Sequence, residues 1–160
     1  MRIRAITVTL LVAAIGAAGC GSSSSSSSSA TGSTGGTTSA TGSAAPTRVY
    51  NVKLGGAKEV PNTSAVGGGT AKITVSGAKN QVCWQFHLTG ISHPAASHIH
   101  AGAAGVSGPV LIPLGGTFTT TGCASNVPQP EILMIEKAPA KFYVNVHNQK
   151  FPNGAARAQL

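Results

Sequence analysis

Side chains able to do chemistry are few in this chain. The densest group is His98 and His100, one residue apart and followed by Ala101-Gly102-Ala103-Ala104-Gly105-Val106-Ser107-Gly108-Pro109. In an extended strand both imidazoles leave one face and Ile99 leaves the other. Two residues of strand rise place their Cα atoms about 6.6 Å apart, so their nitrogens can converge on one metal ion at about 2.0–2.1 Å. His147 follows Tyr143 and Asn145 on one face of a second alternating stretch, and can supply a third nitrogen. Three imidazoles with an open position suit copper or zinc. The same residues also fit another chemistry. Neutral histidine offers one donor and one acceptor, so the trio can instead be a hydrogen-bonded polar cluster around a glycine turn. Both readings stay open on the residues alone. His87 and His93 read as surface residues.

The other reactive groups narrow the field. The chain has no Asp, and Glu59, Glu131 and Glu136 are its only carboxylates. That removes Asp-based triads and Asp-rich calcium loops, and leaves no evident carboxylate pair for glycoside hydrolysis. No Gly-x-Ser-x-Gly elbow occurs, and residues 102–108 lack the Lys-Ser/Thr of a phosphate loop. Formal net charge is +8, but the basic residues are scattered singly without aromatic interleaving, so nucleic acid is not an expected partner.

These groups must be positioned by a modest domain. Residues 1–20 read as an export signal: Arg2 and Arg4 give a positive start, and residues 5–15 form an apolar run too short to span a membrane. Residues 21–47 are nearly all Ser, Gly, Thr and Ala, which cannot bury enough surface to order themselves, so they read as a disordered tether. Residues 48–160 remain, enough for one core. In an exported chain Cys83 and Cys123 form an even pair once Cys20 is set aside, and a disulfide is the expectation. It would close a loop of about 40 residues and stabilise by around 3–4 kcal/mol.

Within 48–160, polar and apolar residues alternate over 49–54, 70–76, 81–89 and 141–147, each stretch bounded by Gly, Pro or Asn. Residues 110–114 make a short apolar strand, 117–121 another after Gly115-Gly116, and 155–160 a last one. Residues 130–137 are the one plausible short helix, with Pro in its first turn. Trp84 and Tyr143 are expected in or beside the core. Seven to eight short strands with at most one short helix predict an all-β, antiparallel β-sandwich.

Two resemblances add to this. Ala17-Ala18-Gly19-Cys20 resembles the lipobox of bacterial lipoproteins, with Ala17 where Leu is commoner. It implies lipidation of Cys20 and anchoring on the extracytoplasmic face of a cell membrane. Glu59-Val60-Pro61, Ser97-His98-Ile99-His100-Ala101-Gly102, Gly108-Pro109-Val110, Phe142-Tyr143-Val144-Asn145-Val146-His147 and the run Phe151-Pro152-Asn153-Gly154-Ala155-Ala156-Arg157-Ala158-Gln159-Leu160 resemble the CHRD domain first described in chordin. Ala158 stands where that family usually has Gly. The resemblance implies an immunoglobulin-like fold and says little of function. His-x-His plus a distant strand histidine also resembles the copper ligands of copper/zinc superoxide dismutase, but with no aspartate for a zinc site the likeness stops short of that activity. The expectation is a non-enzymatic binding or structural module at the cell surface, with an unknown protein or cell-envelope ligand; protein–protein recognition by a sheet edge or the 59–69 loop is a further reading. The alternative is a copper- or zinc-binding module on His98, His100 and His147.

Overall fold

The structure, a computed structural model, describes residues 46–63 and 67–160. The export signal, Cys20 and nearly all of the tether lie outside the described residues. Eight strands follow in chain order: β1 (Thr47–Gly55), β2 (Gly68–Ser76), β3 (Gln81–Thr89), β4 (Pro94–Ala101), β5 (Val110–Pro113), β6 (Thr121–Ser125), then helix α1 (Gln129–Lys137), β7 (Phe142–Asn148) and β8 (Ala156–Gln159). β1 begins at Thr47, the last residue assigned to the tether. Among the described residues no helix is long and apolar enough to cross a membrane.

All pairings are antiparallel, and one hydrogen-bonded sheet runs in the order β5-β4-β7-β8-β1-β2-β3-β6. The all-β expectation holds, but the immunoglobulin-like sandwich is not confirmed, because a sandwich needs two separate ladders. Here a single sheet curls towards a barrel. Segment 114–120 laces its two ends: Leu114 N–H donates to Ser97 O at 2.9 Å, Phe118 N–H to Ala95 O at 3.0 Å, and Phe86 N–H to Thr120 O at 2.7 Å. A cleft between β5 and β6, lined by Leu111, Ile112, Pro113, Cys123, Ala124 and Ser125, marks where the ladder stays open.

Alternation explains the interior. Ile73 and Val75 of β2, Val82, Trp84 and Phe86 of β3, Ile99 of β4, Ile112 of β5 and Val144 and Val146 of β7 are all buried. Trp84 needs a bare neighbour: a Cβ on Gly122, its register partner, would stand 2.4 Å from the indole. Its Nε1–H donates to Thr119 O at 3.1 Å. Helix α1 adds Ile132 and Ile135, both fully buried. The sixth strand departs from expectation, at 121–125 instead of 117–121. There Cys123 pairs directly with Cys83 and the two are joined by a disulfide. Thr117–Thr121 carries no apolar alternation to hold it in the ladder, and the cross-strand bond pins the later segment.

Candidate metal centre

Strands β4, β7 and β8 lie side by side, and their outward faces carry the polar side chains of interest. The register sets His100 opposite Tyr143, His98 opposite Asn145 and Ala96 opposite His147, while Asn145 also faces Arg157 of β8. His147 is therefore the diagonal neighbour of His98, within side-chain reach on one face. The three histidines come together as the spacing suggested: one nitrogen from each lies within 4.8 Å of the others. Ring centroids are 4.8 Å apart for His98 and His147, 5.6 Å for His98 and His100, and 5.8 Å for His100 and His147.

Carbonyl neighbours settle which nitrogens carry protons. A carbonyl only accepts, so the 3.0 Å contact of His100 Nδ1 with Gly108 O makes Nδ1 the donor and leaves Nε2 a lone pair. The 3.0 Å contact of His147 Nδ1 with Pro152 O does the same for His147. His98 Nδ1 lies 3.1 Å from His147 Nε2, and with that Nε2 unprotonated the His98 nitrogen is the donor. His100 Nε2 is buried and has no hydrogen-bond partner.

Electrostatics keep the cluster uncharged. Burial, then the neighbouring His147 and His100, push His98 down to about 4. His100 is also lowered, by burial first, with the Gly108 carbonyl pulling back and His147 and Arg157 adding to the drop. His147 is lowered by burial against the opposing pull of Pro152 O. Three neutral imidazoles, two with tautomers set by backbone carbonyls, match the usual outer support of metal-ligating histidines. Cys83 and Cys123 are joined to each other on β3 and β6, at the other end of the strand order, so no thiolate joins the histidines. His87 and His93 are exposed, as expected.

Residues around the trio were harder to foresee. Tyr143 is 2% exposed, buried as expected, but on the face of β7 shared with Asn145 and His147, where it stacks on His100 at 4.8 Å with 8° between planes. Arg157 is 3% exposed and places its Cζ 3.5 Å over the Tyr143 ring. Glu59, read as a loop residue, is 5% exposed and accepts from Asn145 Nδ2 at 3.3 Å. Burial raises its carboxyl to about 7, against the lowering pull of Arg157 and Asn145. The shared parity of Tyr143, Asn145 and His147 signalled part of this in the sequence, and Glu59 and Arg157 stood out only as members of the motifs that carry the resemblance.

No curated protein and no solved structure matches the chain. A family model does: residues 50–160 match the CHRD domain, a span containing all eight strands except the start of β1 and every residue of the outward cluster. The chain therefore belongs to the CHRD domain family.

Proposed function

We propose that this is an exported, non-enzymatic CHRD module, anchored on the outer side of a cell membrane by lipid on Cys20. In this reading it holds one copper or zinc ion on His98, His100 and His147. The observation that carries the metal reading is His100 Nε2, a buried lone pair without a partner that belongs to a cluster with two further imidazoles. An unpaired buried acceptor is destabilising by about 1–3 kcal/mol, and a cation is a natural partner for it. His147 Nε2 is the second ligand, and His98 completes the set through Nδ1 once its proton sits on the solvent-facing Nε2. A bound ion supplies a Lewis-acidic centre with an open position. The chain's own part is to keep the imidazoles neutral and aimed. Cytoplasmic metal pools and nucleic acid do not enter this reading.

A second reading has its own support. The His98–His147 hydrogen bond already satisfies two of the rings, so the cluster can serve a binding module that holds its loops without metal. Metal analysis of protein purified without a histidine tag separates the two. The metal reading expects one ion per chain, lost when any of His98, His100 or His147 becomes Ala. No uptake, with melting temperature unchanged by added copper or zinc, supports the metal-free module.

A further inference from the structure

We propose that Arg157 and Tyr143 are the positioning residues of the three-histidine centre, acting on His100 through the backbone of Gly108. This rests on the metal reading above and extends it to residues that touch no ion. Strand β7 lies between β4 and β8, so Tyr143 has His100 on one side and Arg157 on the other. The ring stacks on His100 and carries the guanidinium on its face. The same two residues grip the glycine-rich loop after β4. Arg157 donates to Val106 O at 3.0 Å and to Ala103 O at 3.1 Å. The Tyr143 hydroxyl accepts from Gly108 N–H at 3.2 Å and lies 3.4 Å from Gly108 O as a donor. Gly108 O is the acceptor that holds the His100 Nδ1 proton.

The loop has little else to shape it. Residues 103–107 are exposed, and within them the one backbone hydrogen bond runs from Val106 N–H to Ala103 O. Side chains from β7 and β8 therefore do the shaping, aided by Gln159, which donates to Gly102 O at 2.8 Å. Gly108 sits so close to β4 that a Cβ there would stand 1.6 Å from Ala101 O. A guanidinium with 3% exposure makes sense in this role. Its planar fork meets two carbonyls at once, and its remaining face is covered by the tyrosine ring. Releasing the loop would free Gly108 O, and His100 would lose the contact that reserves Nε2 as a lone pair.

The test uses the full mature chain and two readouts. In metal-free protein, ¹⁵N-detected imidazole spectra report the His100 tautomer. Wild type is expected to show only the Nδ1–H form, and Tyr143→Phe and Arg157→Lys a mixture. In parallel, copper(II) and zinc titrations are expected to show 10–100-fold weaker binding for both variants. Ile135→Val, a core change on the buried face of α1, serves as the comparison: it lowers melting temperature without moving tautomer or affinity. Should Arg157→Lys fail to fold, Tyr143→Phe carries the result, since it keeps the stack and removes only the hydroxyl. A single tautomer and wild-type affinity in a folded Tyr143→Phe chain would overturn the proposal. Absence of metal uptake by wild type would overturn the metal reading instead, while the metal-free spectra still decide whether Tyr143 and Arg157 position His100.

Discussion

Burial acts in opposite directions on the two kinds of titratable group in this outward cluster. It lowers the histidines, so each imidazole that is neutral when folded takes up a proton more readily when unfolded. Stability from His98, His100 and His147 is therefore complete above the ordinary histidine value of 6.5 and declines as pH falls through their lowered values, about 4 for His98. Glu59 is raised from 4.5 to about 7, so the folded chain holds that proton more tightly than the unfolded chain does. Its contribution is greatest below 4.5 and is lost as pH rises to about 7, a change on the order of 3 kcal/mol. Protonation also makes structural sense. Glu59 Oε1 and Asn145 Oδ1 are both buried acceptors without partners, and a protonated carboxyl adds a donor to that pair of orphans. Glu59→Gln should then match wild type in urea unfolding near pH 5 and exceed it near pH 8. Lower stability of the variant at pH 8 would show that the ionised carboxylate is a net support through Arg157.

At the scale of elements, period-2 alternation made the faces readable. It put His98 and His100 on one side of a strand and aligned Tyr143, Asn145 and His147, and the register between β4 and β7 did the rest. What alternation cannot encode is a backbone partner. Gly108 O and Pro152 O decide two tautomers, yet any residue type supplies a carbonyl, so no side-chain pattern announces them. Arg157 was legible as one basic residue among scattered ones; its burial depends on a loop returning over it. Glycine is the exception, because an absent Cβ is itself a signal. Gly108→Ala is expected to destabilise by about 1–3 kcal/mol through forced displacement of the loop and to weaken metal binding by tenfold or more. Gly116→Ala, where a Cβ meets nothing within 4 Å, should stay within about 0.5 kcal/mol. Equal behaviour of the two variants would mean that the path of the loop is immaterial to His100.

The whole molecule shows why strand count was easier to foresee than architecture. Seven to eight short strands are equally compatible with two stacked sheets or with one that wraps round its core, since both bury one face of each strand. The choice lies in which strands pair. Here β8 bridges β7 and β1, joining what a sandwich would separate. The outward histidine cluster sits on the β4-β7-β8 part of that sheet, and the tether would enter at β1. Cys20→Ser should release the protein from membrane to soluble fractions and abolish fatty-acid labelling. Retention of the variant on membranes would place the anchor elsewhere.

In the proposed function the three imidazoles act as one ligand set. X-ray absorption at the copper or zinc edge, on full-length mature protein loaded with one equivalent, reads this directly. Three imidazole nitrogens at about 2.0–2.1 Å are expected in wild type, falling to two in His98→Ala. A first shell of oxygen alone, or one unchanged by the substitution, would contradict it.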